Sequence, residues 1–141
     1  MSITAPVTVI IETTVVVPIE KAWAIMTEPA HITQWNAASP DWHTPRAEND
    51  LRKGGTFSYR MEAKDGSFGF DFGGTYDQVT LHSSYVYTLG DGRTVIVLFI
   101  PQGESTRIIE IFVAESQNTP ERQRQGWQAI LDNFKRYAES V

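Results

Sequence analysis

The chain contains no cysteine, and that absence removes several chemistries at once. No disulfide can staple it, no thiolate can serve as nucleophile, and no cysteine-based metal site can form. Histidine is nearly as scarce, with three in 141 residues. His31, His43 and His82 share no metal-ligand spacing, so no metal centre is expected. No apolar run approaches the roughly 18 residues of a membrane span. The start, MSITAPVTVIIETT, lacks a basic region and acquires Glu12 early, so it does not read as a secretion signal. Basic residues are outnumbered: Lys plus Arg total 12, Asp plus Glu 17, for a formal net charge of −5. That balance speaks against nucleic acid or an anionic membrane as main partner. Also missing are a G-x-S-x-G elbow, a P-loop and a dinucleotide fingerprint. No cofactor is expected, and a reducing cytoplasm is the expected location.

What is present is an ordinary globular composition, 41% hydrophobic and 21% charged. A chain this long is expected to form one domain, residues 1–141, and to bury about 70% of its unfolded surface. Residues 7–16, VTVIIETTVV, alternate: Val7, Val9, Ile11, Thr13 and Val15 share one face of a strand. Pro18 suits a helix start, and Ile19, Ala22, Trp23 and Met26 form an apolar helical stripe. Pro29 ends that helix and starts a short second one carrying Ile32 and Trp35. Five further strands follow, over 55–63, the run after Ser67, 83–89, 94–100 and 105–115. Residues 120–139 read as one helix about 30 Å long. Thr119 can cap it and Pro120 suits its first turn. Its apolar stripe is Trp127, Ile130, Leu131, Phe134 and Ala138; Arg124, Gln128, Asp132, Lys135 and Glu139 take the other face. Strands and helices segregated in this way mean α+β.

Aromatics are concentrated where strands alternate. In GSFGFDFGGTY, Phe68, Phe70 and Phe72 share one face, opposite Gly69, Asp71 and Gly73. Asp65-Gly66 suits a two-residue type I′ turn. That turn pairs Met61 with Phe70 and Tyr59 with Phe72, and sets Arg60 across from Asp71. A one-residue slip would destroy both the apolar face and the ion pair. The aromatic face is expected to point towards the long helix. Gly73-Gly74 suggests a bulge, which leaves the facing of Tyr76 open. Gly126, inside the last helix, suggests a close approach to the first helix or to a ligand.

Residues 36–53, NAASPDWHTPRAENDLRK, read as a long irregular loop. Asp41 and His43 within it could form an acid/base pair over a pocket mouth, though a solvated loop explains them as well. Asp50 and Arg52 are expected to organise the turn into the next strand.

The order of elements resembles the START-like or SRPBCC superfamily, the helix-grip fold. Within it the chain resembles single-domain bacterial proteins related to the C-terminal domain of the activator of the heat-shock protein 90 ATPase. The landmarks are VPIEKAW (17–23), the Trp35 region, DLRKGGTF (50–57), FGGTYDQV (72–79), YTLGDGRTVIVLF (87–99) and RQGWQAILDNF (124–134). The resemblance implies a curved antiparallel sheet of about six strands wrapped around the long C-terminal helix, with two short helices after the first strand. It also implies a groove between sheet and helix. The expected wall is Trp35, Trp42, Phe57, Tyr59, Phe70, Phe72, Tyr87, Phe99, Trp127, Ile130 and Phe134. A packed core is the competing reading of the same rings. The superfamily includes lipid carriers, hormone receptors, polyketide cyclases and co-chaperones, so function must come from the site. The expected function is binding of a small hydrophobic or aromatic molecule. The alternative is an interaction module for a chaperone, and a cyclase- or hydrolase-like enzyme ranks below both. Monomer and homodimer both remain open.

Overall fold

The computed structural model describes residues 6–141; the first five residues of the stretch read for a secretion signal lie outside it. Strand β1 (Thr8–Val15) leads into helices α1 (Ile19–Thr27) and α2 (Pro29–Trp35). Strands β2 (Trp42–Asn49), β3 (Thr56–Ala63), β4 (Gly69–Thr80), β5 (Ser84–Leu89), β6 (Thr94–Gln102) and β7 (Ser105–Val113) follow, and helix α3 (Pro120–Ala138) closes the chain. The seven strands form one antiparallel sheet in the order β1-β7-β6-β5-β4-β3-β2. The sheet is a half-barrel and α3 lies in its concave side, the helix-grip arrangement.

Alternation decides which residues face the helix. On β1, Val9, Ile11 and Val15 are buried; Val7, at the strand's open end, is not. Val95, Val97 and Phe99 on β6 and Ile108 and Phe112 on β7 continue the same layer. From above, α3 adds Leu131, Phe134 and Ala138, and α1 adds Ala22, Trp23, Ile25 and Met26. Helix α3 starts where its cap predicts: the Thr119 hydroxyl accepts the Arg122 N–H at 3.2 Å. Its polar face does more than meet water. Arg124, Gln128 and Lys135 donate to the carbonyls of Ile10, Glu12 and Thr14, alternate residues on the free edge of β1. Glu139 accepts the Val16 N–H at 2.8 Å. The helix thus occupies a sheet edge that would otherwise offer unpaired backbone groups.

Four expectations need correction. The stretch 36–53 is not all loop: Trp42–Asn49 pairs with β3, giving seven strands rather than six. Pro45 hid it, because proline removes a ladder donor. The strand tolerates it by lying at the sheet edge, with the register shifting between His43 and Arg46. At the β3–β4 turn the register is as expected, Tyr59 facing Phe72, Arg60 facing Asp71 and Met61 facing Phe70. The turn itself is not type I′, since only Gly66 has positive φ (+78°) and Asp65 does not. Instead the Asp65 carboxylate accepts the Ser67 N–H at 2.8 Å, and the Gly66 N–H donates to Ala63 O at 2.9 Å.

Gly73 and Gly74 are not at a bulge either; pairing runs through them, and the irregularity falls later, between Tyr76 and Gln78. They are glycine because neighbouring backbones come close. A Cβ on Gly73 would lie 2.4 Å from Phe57 O, and one on Gly74 2.6 Å from Thr88 O. With the phase unbroken to that point, Tyr76 turns inward and is buried. Gly126 makes no close approach: a Cβ there would meet nothing within 4 Å.

A candidate ligand cavity between sheet and long helix

The roof of the concave side is fixed by a few directional contacts. The Trp35 indole N–H donates to Ile25 O at 2.9 Å, tying α2 to α1. Asn133 donates its side-chain amide N–H to Trp35 O at 2.7 Å, tying α3 to α2. Trp127 stacks on Phe112 of β7, centroids 4.0 Å apart at 14°, and meets the edge of Phe72 at 6.0 Å. The helix is thereby held off the middle of the sheet on aromatic props rather than packed flat against it.

Beneath it lies a cavity of about 170 Å³. Its wall comes from β3 (Phe57, Tyr59, Met61), β4 (Phe70, Phe72, Tyr76), β5 (Tyr85, Tyr87), β6 (Val97), β7 (Glu110) and α3 (Trp127, Ile130), with Met26, Trp35 and Asn36 at the helical end. Of the expected wall residues, Trp35, Phe57, Tyr59, Phe70, Phe72, Tyr87, Trp127 and Ile130 line this space. Phe99 and Phe134 do not. Phe99 is packed against Trp23 at 5.0 Å and Phe134 against Trp35 at 5.2 Å, both fully within the core.

Trp42 also lies elsewhere. It joins Phe68 and Phe70 in a cluster at the β3–β4 tip, with centroids 6.0–6.3 Å apart. Phe68 is 63% exposed and Phe70 40%, so the aromatic face runs beyond the reach of α3. Only its Phe72 end is sheltered. Trp42 instead borders a second, polar groove of about 480 Å³. His43, Lys64, Asn133 and Arg136 share that groove. Asp41 and His43 do not pair: the Asp41 carboxylate accepts from Ser39, and His43 lies 3.8 Å from Glu62. Arg60 likewise has a nearer partner than expected, Glu62 at 2.9 Å against Asp71 at 3.7 Å. Asp50 and Arg52 pair at 3.0 Å in the turn before β3.

The cavity's polar content is sparse and specific. Burial pushes the phenols of Tyr59, Tyr85 and Tyr87 up, so they remain neutral. Burial also raises Tyr76, whose hydroxyl donates to Asn49 Oδ1 at 2.7 Å. Glu110 sits on the inward face of β7, across from Ile11 on β1 and Val97 on β6. Burial pushes its carboxyl up to about 7, and no hydrogen bond or opposite charge offsets that burial. Among the described residues every fully buried side-chain oxygen or nitrogen has a partner. The Glu110 oxygens therefore face the open space of the cavity.

Sequence reasoning missed Glu110. In STRIIEIFV both faces are apolar, Ile109 and Ile111 on one and Ile108 and Phe112 on the other. A carboxylate in phase with Ile108 and Phe112 was the available signal. It could be used only by knowing which face α3 covers.

A family model described as Activator of Hsp90 ATPase homolog 1-like protein matches residues 16–139. The chain belongs to this family. Among solved structures, an AHSA1-like protein from Aeromonas hydrophila is 45% identical, with TM-score 0.89 over 95% of this chain and 93% of that one. A Cytophaga hutchinsonii protein is 53% identical, with TM-score 0.81 over 93% and 91% of the two chains. A Nitrosomonas europaea protein, 21% identical over 94% of each chain, shares the fold at TM-score 0.79. No curated protein matches the chain. The family thus accounts for the helix-grip architecture. Any activity has to be read from the cavity itself.

Proposed function

We propose that the protein binds a small apolar molecule, of about the size of a single aromatic ring, between the sheet and α3. The observation that carries this reading is the aromatic-lined cavity of about 170 Å³. An apolar protein cavity of roughly 150 Å³ is known to take benzene. Tyrosine and tryptophan in the wall offer flat apolar area with polar tips that can orient a ligand. Helix α3 roofs this space with Trp127 and Ile130, opposite Phe72 on the sheet. The roof contacts at Trp35 and Asn133 hold it open.

Native mass spectrometry of the protein purified from its own host tests the reading. The expected result is a reproducible adduct of single-ring mass that is lost on denaturation. A bare mass, together with no binding of added toluene, would refute it.

A second reading has one observation behind it. Exposed Phe68 and Phe70 form a contiguous apolar tip with half-buried Trp42, and the family's description names a chaperone ATPase. On that reading the tip docks on the chaperone, and a Phe68→Ser/Phe70→Ser double variant loses the association. Absence of any association with the wild-type chain would refute it.

A further inference from the structure

Resting on the ligand-binding reading, we propose that the cavity selects an organic cation, a protonated amine on a single-ring body, with its nitrogen against Glu110. Among the described residues Glu110 is the only charged side chain in the cavity wall; no Lys or Arg of theirs lines it. A carboxylate enclosed without a partner is costly, and a hydrophobic side chain would fill the same strand position without that cost. Its neighbours across the sheet, Ile11 and Val97, are almost wholly buried.

The rest of the wall suits the same ligand. Phe57, Tyr59, Phe72, Tyr87 and Trp127 surround the space with aromatic rings. Their faces carry partial negative charge, which attracts a cation and disfavours an anion or a carbonyl oxygen. A carboxylate combined with aromatic faces is the chemistry that holds an ammonium group. The volume, about 170 Å³, limits the body to about one ring. A neutral ligand of that shape would fill the space but leave the charge of Glu110 uncompensated.

Titratable groups facing Glu110 are few. Tyr59 on β3, Tyr76 on β4 and Tyr85 and Tyr87 on β5 are phenols kept neutral by burial. Strands β1 and β6 present Ile11 and Val97, α3 presents Trp127 and Ile130, and the helical end presents Met26. Among the described residues, none of the other groups lining the cavity is a histidine, lysine, arginine or further carboxylate.

The test is calorimetric titration of the full chain with benzylamine, benzyl alcohol and toluene, at about pH 8 and again at about pH 5.5. At the higher pH benzylamine is expected to bind at least about tenfold tighter than benzyl alcohol. That advantage is expected to shrink at the lower pH, where Glu110 is protonated and benzylamine keeps its charge. Glu110→Gln, which preserves shape, should abolish the preference for benzylamine over benzyl alcohol. Glu110→Asp, which preserves charge, should retain part of it. Benzyl alcohol binding as tightly as benzylamine to the wild-type chain would overturn the proposal and leave the ligand-binding reading standing. Failure of all three compounds to bind would overturn both. The wild-type series decides the matter even if a variant does not fold.

Discussion

Glu110→Gln should change how stability depends on pH, and both sign and size follow from the cavity. The carboxyl titrates at about 7 in the folded chain against an ordinary value of 4.5. The folded chain therefore holds its proton more tightly than the unfolded one. Stability from this group is fully present below about pH 4.5 and is lost as pH rises through about 7. The difference between the two values corresponds to about 3 kcal/mol. Between about pH 5 and pH 8 the wild-type chain should lose most of that, a large part of a typical folding free energy. Glutamine cannot ionise, so the variant should show no such loss. Glu62, Asp65, Asp91, Glu115 and Glu139 are held below the usual range by hydrogen bonds and ion pairs. Their contributions disappear at acid pH, outside this window, and are common to both chains. Urea unfolding followed by tryptophan fluorescence at several pH values supplies the comparison. Parallel stability profiles for the two chains would refute the placement of Glu110 in an unpartnered, enclosed position.

Other substitutions separate wall from core. Phe99→Ala, at a fully packed position, should cost about 3–5 kcal/mol, whereas Phe72→Ala at the cavity wall should cost clearly less and enlarge the ligand space; chemical denaturation orders the two, and equal costs would contradict the distinction. Gly126→Ala should stabilise by about 1 kcal/mol in a thermal melt, because the added methyl meets open space. Gly74→Ala should destabilise by about 1–3 kcal/mol, since its Cβ would press on Thr88 O. Tyr76→Phe, which removes the donor to Asn49, should cost about 1 kcal/mol and leave the cavity wall in place; a cost near zero would mean that the bond contributes nothing.

The architecture was legible because its signals are local. Alternation in VTVIIETTVV, the Asp-Gly turn and the Thr119-Pro120 start of α3 each depend on neighbours in sequence. Even a wrong turn type left the β3–β4 register intact, because the apolar face and the Arg60–Asp71 juxtaposition specify it independently. What stayed hidden depends on distant partners. Strand β2 carries Pro45 and a register shift, and is a strand only because β3 lies beside it. The reach of α3 sets where the Phe68–Phe72 face stops being sheltered, and no residue in that segment encodes the limit. Tyr76 and Glu110 join the cavity through strand phase and through which face the helix covers. On the polar face of α3, Arg124, Gln128 and Lys135 bind the β1 edge, a pairing set by tertiary placement alone.

The most direct test of the central reading is a toluene titration of the isotopically labelled protein, followed by amide nitrogen–proton spectra. The account predicts saturable shifts centred on Phe57, Tyr59, Tyr76, Tyr87, Val97, Glu110 and Trp127, from strands and helix that meet only around the cavity. Spectra that do not change, or change only around Trp42 and the exposed Phe68 at the β3–β4 tip, would mean that the space under α3 admits no ligand.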